Sequence, residues 1–327
     1  MPQRMLGNHL KVSAIGLGCM GMSFAYGTAD EKESIRAIDA ALDLGINFLD
    51  TAEIYGPFTN EELLGRVLKN KNRREIILAT KFGFKLENGK RTGADSRPSH
   101  LREVCEASLK RLQTDYIDLF YQHRVDPKIP IEDVAGELKK LINEGKIIHY
   151  GLSEASAKTI RKAHAIHPVT ALQTEYSLWE HEVEAEILPV LRELNIGFVA
   201  YSPLGRGFLT GKIKSVEDLE QNDFRRTAPR FEGENFDRNM AIVERVKKIA
   251  EAKNATTSQI ALAWLLHKED FIVPIPGTTR PQHLHENARS AFIELTKSEM
   301  DELDQLSELV AGARYNPEGM QMVDKCR

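Results

Sequence analysis

The segment from Asn47 to Gly56 reads Asn-Phe-Leu-Asp-Thr-Ala-Glu-Ile-Tyr-Gly. It continues a short apolar run, Ile46 to Leu49, which predicts a buried β-strand that ends in a carboxylate, Asp50. A phenol, Tyr55, follows on the next loop, before a helical pattern begins. Units of this kind, in which an apolar strand ends in polar residues and leads into a helix, recur along the chain. This recurrence is what predicts the fold.

Eight apolar runs have the length and composition of strands. They are Ala14 to Gly18, Ile46 to Leu49, Ile76 to Thr80, Ile117 to Tyr121, Ile147 to Gly151, Ala171 to Thr174, Gly197 to Ala200 and Ile272 to Ile275. Helical patterns lie between them, and Val134, Leu138 and Leu141 fall on one such stripe. Apolar strands that alternate with helices indicate a parallel sheet buried on both faces. We predict an α/β fold, a closed (β/α)8 TIM barrel, with an open doubly wound sheet as the alternative.

Three features are predicted around the barrel. Met5 to Val12 has the pattern of a small N-terminal β-hairpin that could cap the bottom of the barrel. The stretch from Tyr201 to Arg238, after strand seven, is a long loop of the kind that forms a lid or a binding site. Two helices follow it, Met240 to Lys253 and Thr257 to His267, and Thr256 to Gln259 carries a capping signal for the second.

The composition is that of an ordinary globular protein and predicts a cytoplasmic location. The chain has 327 residues, no linker and no low-complexity tract, so we predict one domain spanning residues 1–327. A net charge of −4 gives no reason to expect nucleic acid as a partner. Cys19, Cys105 and Cys326 have no metal-ligand spacing and are too few for a disulfide framework. The polar N-terminus predicts no signal peptide, and no apolar run is long enough to span a membrane.

A glycine-rich motif near the N-terminus raises the alternative of a Rossmann dinucleotide-binding domain. Gly16 to Gly21 match the G-x-G-x-x-G pattern of Rossmann domains, and they follow a strand. That motif needs a helix that opens directly on the glycines, whereas Met22 to Thr28 intervene before the helix predicted near Asp30. Asp39 and Asp43, which have about the spacing of the ribose-binding acid, fall inside that helix. The sequence therefore disfavours a Rossmann domain.

Polar side chains stand at the carboxyl ends of seven of the predicted strands. In chain order they are Asp50 with Tyr55, Lys81, His123, Ser153 with Glu154, Gln173 with Tyr176, Tyr201 with Ser202, and Thr278 with Arg280. In a (β/α)8 barrel the chemistry gathers at this end of the strands. Because all of them converge on one mouth, we predict an active site there.

Four of these residues have the chemistry that carbonyl reduction requires. An unperturbed tyrosine has a pKa of about 10, and a nearby ammonium lowers it. We expect Lys81, held by Asp50, to lower the pKa of Tyr55, which can then protonate an alkoxide as it forms. His123 would orient the carbonyl oxygen. No side chain supplies a hydride, so a nicotinamide cofactor is predicted.

Several motifs together resemble one known family. They are Ile15-Gly-Leu-Gly-Cys-Met-Gly, Asp50-Thr-Ala-Glu-Ile-Tyr55-Gly, Thr80-Lys81, Gln122-His123-Arg, Gly151-Leu-Ser153, Tyr201-Ser-Pro-Leu-Gly205, and Ile275-Pro-Gly277 with Glu286-Asn287. Over nearly its whole length the chain resembles the aldo-keto reductases, most of all the branch of plant auxin-induced-like proteins and their bacterial relatives. The resemblance implies a (β/α)8 barrel that binds NADPH without a Rossmann domain. It also implies a catalytic tetrad of Asp50, Tyr55, Lys81 and His123, with Tyr55 as the proton donor.

The resemblance further implies a set of cofactor-binding residues. Ser153 and Gln173 would hold the carboxamide, and Tyr201 would stack on the nicotinamide ring. Glu154 stands where the family commonly has Asn, and His283 where it often has Gln. Arg280 at a helix N-terminus favours NADPH over NADH, because it can grip the 2′-phosphate. The complete set is Gly18, Met20, Asp50, Ser153, Glu154, Gln173, Tyr201, Ser202, Pro203, Leu204, Gly205, Gly207, Leu209, Lys212, Gly277, Thr278, Thr279, Arg280, His283, Glu286 and Asn287, with no metal ligand.

The substrate is predicted only as a class, a small aldehyde or ketone. The pocket would be lined by Phe24, Tyr26, Phe84, Tyr176, Trp179 and the carboxyl tail from Gly312 to Arg327, which suggests a fairly apolar carbonyl compound. The alternative is an NADPH-sensing regulatory subunit of a membrane channel, with little turnover. A metal-dependent lyase would need clustered His and carboxylate ligands, which the strand ends lack. The oligomeric state, the physiological substrate and the preferred direction stay open.

Overall fold

The computed structural model describes residues 1–23, 25–27 and 29–324, so Phe24 and Cys326 lie outside the described residues. The strands in these ranges are β1 (Gln3–Leu6), β2 (Leu10–Ser13), β3 (Leu17–Gly18), β4 (Phe48–Asp50), β5 (Ile77–Phe82), β6 (Phe84–Glu87), β7 (Lys90–Ala94), β8 (Ile117–Gln122), β9 (Ile147–Ser153), β10 (Ala171–Glu175), β11 (Gly197–Tyr201) and β12 (Ile272–Pro274). The α-helices are α1 (Glu31–Asp43), α2 (Thr59–Leu68), α3 (Pro98–Leu112), α4 (Ile131–Asn143), α5 (Ala157–Ile166), α6 (Ile187–Leu194), α7 (Gly233–Ala252), α8 (Thr257–Lys268), α9 (Pro281–Arg289), α10 (Lys297–Asp304) and α11 (Pro317–Met320).

Eight strands form one parallel sheet that curls into a barrel. Their order is β3-β4-β5-β8-β9-β10-β11-β12. The first and last strands also meet, because the Gly16 N–H donates to the Pro274 carbonyl at 3.0 Å and Gly18 pairs with Gly277 in a parallel bridge. A Cβ at Gly18 would lie 2.8 Å from the Ile275 carbonyl oxygen, so this close approach requires glycine. The predicted (β/α)8 barrel is confirmed, and the open doubly wound sheet is wrong.

The predicted N-terminal hairpin closes one end of the barrel. Strands β1 and β2 pair antiparallel, and their Leu6, Leu10 and Val12 are buried. These side chains pack with inward-facing barrel residues, among them Phe48 and Val199. The hairpin therefore fills the barrel interior at the end opposite the carboxyl ends of the strands. A second, larger core lies between the barrel and the surrounding helices.

Arg4 joins the hairpin to the end of helix α8. Its Nη1 donates to the carbonyl oxygens of Glu269 at 2.6 Å and Ile272 at 2.8 Å, and its Nη2 donates to the Leu266 carbonyl. Leu266 and Glu269 lie in the last turn and at the C-cap of α8, where carbonyls lack an intrahelical partner, and Ile272 begins β12. The guanidinium therefore takes the place of a C-terminal cap.

We expect the Arg4→Met substitution to lower the free energy of unfolding by about 1.5–3 kcal/mol, since bonds from a charged donor are lost and the carbonyls stay half-buried. Urea denaturation followed by circular dichroism measures this loss. Arg74→Met, which changes an exposed arginine, is the matched control and should leave the midpoint nearly unchanged. Equal midpoints for the two variants would contradict the capping role of Arg4.

The two helices predicted after the long loop are both present, and one of them begins earlier than predicted. Helix α8 begins with a capping box, in which Thr256 Oγ1 accepts from the Gln259 N–H and Gln259 returns a bond to the Thr256 N–H, so that signal is confirmed. Helix α7 begins at Gly233, before the predicted Met240, and Asn239 in its second turn is held in the interior by two hydrogen bonds to the backbone of Ala311.

The hairpin of β6 and β7 was not predicted, although its sequence carries a signal. Its turn is Asn88-Gly89, and both residues have positive φ values, 52° and 73°. An Asn-Gly pair is the strongest short-range signal for a hairpin turn. The predicted long loop after strand seven forms a series of short 3-10 turns between Gly205 and Phe231. No helix in the described ranges has both the length and the apolar character needed to cross a membrane.

Candidate active site

A buried cluster of ionisable groups occupies the mouth of the barrel at the carboxyl ends of β4 and β5. Asp50 is the last residue of β4, Lys81 lies in β5, and Tyr55 follows on the loop after β4. Lys81 Nζ donates to Asp50 Oδ1 at 2.5 Å and to the Tyr55 hydroxyl at 3.4 Å. A third bond, at 2.9 Å, goes to the Thr51 carbonyl. The ammonium thus sits between the carboxylate and the phenol.

The bonding around Asp50 and Lys81 keeps the ammonium charged. The second carboxylate oxygen of Asp50 accepts from Gln173 Nε2 at 2.7 Å, so both oxygens are satisfied. Lys81 is fully buried, and burial alone would lower its pKa. Asp50 and Tyr55 outweigh burial, and the pKa of Lys81 is raised above its usual value. Lys81 is therefore a fixed cation beneath the phenol.

The pKa of Tyr55 differs from the sequence expectation. Burial raises the pKa of this hydroxyl, and the nearby Lys81 ammonium offsets only part of the increase. The expected net lowering is therefore wrong, because desolvation of the phenolate outweighs the attraction of one ammonium that Asp50 already neutralises. Tyr55 is a neutral phenol that carries its proton near neutral pH. Its Lys81 contact becomes strong only when negative charge develops on the phenol oxygen.

His123 forms the opposite wall of the cluster. Its ring stands edge-on to the Tyr55 ring, with centroids 5.9 Å apart, and contacts Phe84 at 4.8 Å. Burial, followed by the charges of Arg124 and Lys81, holds the pKa of His123 well below its usual value. Its Nδ1 is buried without a hydrogen-bond partner among the described residues. The imidazole is therefore neutral and can form a hydrogen bond with a bound polar group.

Three more predicted residues surround this cluster. Gln173 in β10 is bound to Asp50, as described above, and Ser153 ends β9 with its hydroxyl accepting a 3.2 Å bond from Arg124 Nη1. Met20, in a 3-10 turn after β3, packs with Tyr55 and Phe84. Together these side chains enclose the space in front of Tyr55 and His123.

Glu154 makes contacts that the sequence did not reveal. Its Oε1 accepts from the Tyr201 hydroxyl at 2.8 Å, and its Oε2 accepts from Arg314. The Tyr201 hydroxyl also meets the Tyr315 hydroxyl at 2.7 Å. Burial alone would raise the pKa of Glu154, but Arg314 and Arg124 outweigh it and hold that pKa below its usual value. In this structure Glu154 therefore binds Tyr201 and the carboxyl tail.

The carboxyl tail crosses the mouth of the barrel and is anchored beyond it. Asp324 Oδ2 accepts from the Ser156 N–H at 2.9 Å and the Thr159 hydroxyl at 2.6 Å, at the N-terminus of α5. Met322 packs against the group of residues that contains Tyr55 and Phe84. The predicted lining by the tail is therefore confirmed for its described part.

A second group of predicted residues lies around the N-terminus of α9. Thr278 Oγ1 accepts from the Arg280 N–H at 3.1 Å and meets His283 Nδ1 at 3.3 Å. Lys212 Nζ lies 3.3 Å from His283 Nε2 and 3.8 Å from Glu286 Oε2. Gly277, Thr279 and Asn287 belong to the same segment, where Gly277 pairs with Gly18 and Asn287 is buried. This group carries both a helix N-terminus and two basic side chains.

The loop after β11 connects the two groups with a strained backbone. Ser202 and Arg206 have positive φ values of 49° and 57°, which non-glycine residues rarely adopt. Arg206 is held there by an ion pair with Glu175 at 2.9 Å. The loop also contains the predicted Pro203, Leu204, Gly205, Gly207 and Leu209, and the Leu209 side chain is buried in the hydrophobic core rather than at the site.

Two predicted pocket residues lie elsewhere. Tyr176 is fully buried against Trp264 and Phe198, and its hydroxyl donates to Glu184 at 2.6 Å. Trp179 packs against aromatic side chains beneath the loop after β11. The prediction that both line the pocket is wrong, since each fills the core between the barrel and its outer elements. Phe84 does lie at the site, as predicted, against His123, whereas Tyr26 packs against Phe224 of the loop after β11.

Other residues at the mouth were not predicted. They include Arg124, Glu175 and Arg206, which lie at or after the ends of barrel strands, and Arg91, which lies on the hairpin that was not predicted. Only the position of Arg124, directly after His123, could have signalled a role from the sequence. No cluster of three or more metal-binding side chains occurs in the described part of the chain.

The chain as a whole is similar to known proteins. The profile of the Aldo/keto reductase family matches residues 14–308. The chain belongs to the aldo/keto reductase family. This aldo-keto reductase is 47% identical over 308 residues to a probable aldo-keto reductase 1 from Glycine max, across 93% of this chain and 89% of that protein. The recognition made from the motifs is confirmed, and the protein is an oxidoreductase of that family.

Two solved structures resemble this aldo-keto reductase. The glycerol dehydrogenase AKR11B4 from Gluconobacter oxydans superposes with a TM-score of 0.85 at 30% identity, covering 96% of this chain and 98% of that one. The thermostable aldo-keto reductase Tm1743, solved with the inhibitor epalrestat, gives a TM-score of 0.75 at 29% identity, with coverage of 94% and 100%. Aldo-keto reductases typically depend on NAD(P)H.

Proposed function

We propose that this aldo-keto reductase uses NADPH to reduce aldehydes and ketones to alcohols, with Tyr55 as the proton donor. The observation that carries the proposal is the position of the Lys81 ammonium, bonded both to Asp50 and to the Tyr55 hydroxyl at the barrel mouth. A neutral phenol with a cation beneath it can release its proton when an alkoxide forms nearby, because the phenolate is then stabilised.

Each residue of the cluster has a separate task in this reaction. When bound, NADPH supplies the hydride that the carbonyl carbon accepts. The neutral His123 imidazole donates a hydrogen bond that orients the carbonyl oxygen and stabilises its growing negative charge. Tyr55 transfers its hydroxyl proton to that oxygen, and Lys81 stabilises the phenolate that remains. Asp50, bonded to Lys81 and Gln173, fixes the ammonium and maintains its charge.

The residues around α9 fit the phosphate end of NADPH. Helix α9 has no side-chain cap at its N-terminus, and Pro281 at its first position carries no N–H. The Arg280 N–H donates to Thr278 Oγ1 and the His283 N–H donates to the Arg280 carbonyl, so an anion here would depend mainly on side-chain charge. Arg280 and Lys212 supply that charge, and Glu286 lies within reach of Lys212 at 3.8 Å. Ser153 and Tyr201 would hold the nicotinamide at the other end, next to Tyr55. This arrangement supports an extended dinucleotide that runs from α9 to the barrel mouth.

A spectrophotometric assay tests the proposal. Purified protein is mixed with NADPH and 4-nitrobenzaldehyde, and the loss of the near-ultraviolet absorbance of NADPH is followed. Rapid loss that depends on the aldehyde supports a reductase. The alternative, an NADPH-sensing subunit, predicts tight NADPH binding with negligible turnover across a panel of aldehydes and ketones, and that outcome would replace the proposal.

Arg280 should decide the preference for NADPH over NADH. We expect Arg280→Ala to weaken NADPH binding roughly 10- to 100-fold and NADH binding far less, because only NADPH carries the 2′-phosphate that a guanidinium grips. Fluorescence titration with both dinucleotides measures the two dissociation constants. Arg289→Ala, at the opposite end of α9, is the matched control. Equal losses for NADPH and NADH would rule out the phosphate-binding role.

A further inference from the structure

The barrel mouth carries more positive than negative charge. Three carboxylates there have a cationic partner: Asp50 with Lys81 at 2.5 Å, Glu175 with Arg206 at 2.9 Å, and Glu154 with Arg314. A fourth, Glu53, is buried, and burial raises its pKa to about 8, which favours its neutral form. Two more arginines, Arg91 and Arg124, face the same space. Neither forms an ion pair with any carboxylate of the described residues. The Arg124 charge acts on Glu154 from a distance, but that carboxylate is bound directly to Arg314 and Tyr201, so neither arginine has a carboxylate of its own.

Of these two arginines, Arg124 is better placed to bind an anion beside His123. It follows His123 directly and is half-buried, and its Nη1 donates to the His123 carbonyl at 2.7 Å and to Ser153 Oγ at 3.2 Å. Both acceptors are neutral, and both bonds use the same nitrogen. Its Nε and Nη2 make no hydrogen bond within the described ranges. A guanidinium edge with two free donors matches the two oxygens of a carboxylate.

Arg91 is an exposed arginine near the same site. It lies on the hairpin of β6 and β7, with its guanidinium 5.5 Å from the centre of the Phe84 ring. Phe84 in turn contacts the His123 ring at 4.8 Å. Burial first, and then the charges of Arg124, Lys81 and Arg91, lower the pKa of His123, which agrees with these ring contacts. An anion bound between the two arginines would lie beside His123 and Tyr55.

We propose that the preferred substrate is an anionic carbonyl compound, an aldehyde or ketone that carries a carboxylate bound by Arg124 with help from Arg91. This inference rests on the proposed function, since it names the substrate class of the same site. It narrows the sequence expectation of a fairly apolar aldehyde or ketone. The carboxylate provides the negative charge that the mouth lacks, while the aromatic wall around Phe84 covers the body of the substrate.

Two matched substrates test this assignment. They are 4-carboxybenzaldehyde and its methyl ester, methyl 4-formylbenzoate, which differ in charge but share the reacting aldehyde. The wild-type protein should show kcat/KM at least roughly tenfold higher for the acid. Arg124→Met should reduce this acid-to-ester ratio roughly 10- to 100-fold, and Arg124→Lys should restore part of it. The preference should also shrink as salt is added.

Controls separate the possible outcomes. Arg66→Met, which removes an exposed arginine paired with Glu31 on the outer helices, should leave the ratio unchanged. Equal kcat/KM for acid and ester in the wild type, or equal losses for both in Arg124→Met, would overturn the inference but leave the reductase function intact. If neither substrate is turned over, the proposed function fails instead. Calorimetric titration with benzoate and benzamide then still decides the inference, since only benzoate should bind, and only when Arg124 is present.

Discussion

Replacing Tyr55 with phenylalanine is expected to lower kcat/KM for aldehyde reduction by roughly 10²- to 10⁴-fold, the range that a positioned general acid contributes. The substitution removes one hydroxyl and keeps the ring that packs with Ala52, Ile54 and Phe84, so the fold should be retained. NADPH binding should change little, because Tyr55 is not one of the proposed cofactor contacts. Steady-state kinetics and fluorescence titration of NADPH measure the two effects separately.

Tyr150 provides a matched control for this variant. It is also a buried barrel tyrosine, but its hydroxyl donates to the carbonyls of Ala163 and His167, away from the mouth. Tyr150→Phe should cost stability of about 1 kcal/mol and leave kcat/KM nearly unchanged. If Tyr55→Phe retained more than about a tenth of the wild-type kcat/KM, Tyr55 could not be the general acid, because such a loss is below what general acid catalysis contributes.

Removing Arg314 is expected to produce the largest loss of stability. Its ion pair with Glu154 is almost completely buried, with side-chain exposures of 4% and 1%. Arg314→Met would leave the Glu154 carboxylate buried without its cation, which typically costs about 3–5 kcal/mol. The tail should detach from the mouth, because Tyr315 and its bond to Tyr201 follow directly in the chain. Urea denaturation and limited proteolysis of the tail measure the two consequences.

Two further variants show whether the cost comes from the unpaired charge. Glu154→Gln combined with Arg314→Met removes both charges, and it should recover at least half of the stability that Arg314→Met loses. Arg161→Met breaks an exposed ion pair with Glu193, whose side chains are 46% and 57% exposed, and should leave the urea midpoint nearly unchanged. A double variant no more stable than Arg314→Met would show that the tail is held by other contacts.

The fold was predictable because its signals are local. Eight apolar runs alternating with helical patterns require a parallel sheet with helices on both faces, whatever the exact boundaries. Two of these signals are each defined within four residues, the capping box at Thr256 and Gln259 and the Asn88-Gly89 turn. The turn would have predicted the hairpin of β6 and β7, although that hairpin was not among the predicted elements. Strand ends were less predictable, as the short β3 shows, because pairing partners rather than composition determine where a ladder stops.

The candidate site was predicted in its chemistry but not in its electrostatics. Asp50, Lys81, Tyr55 and His123 come together because the carboxyl ends of neighbouring parallel strands share one edge. The direction of the Tyr55 pKa shift was wrong, since it depends on how completely the hydroxyl is desolvated. Burial is a property of the assembled barrel, and no spacing within the sequence reveals it.

By itself the sequence determined the barrel, the family and the four residues proposed for catalysis, because each depends on patterns within one strand and the loop after it. Only the tertiary structure decided which charges pair. Glu154 and Arg314 are 160 residues apart, and their contact leaves Arg124 without a carboxylate partner among the described residues. Such long-range pairings decide which charges at the mouth remain available to a ligand, and through them the kind of substrate that we propose for the site.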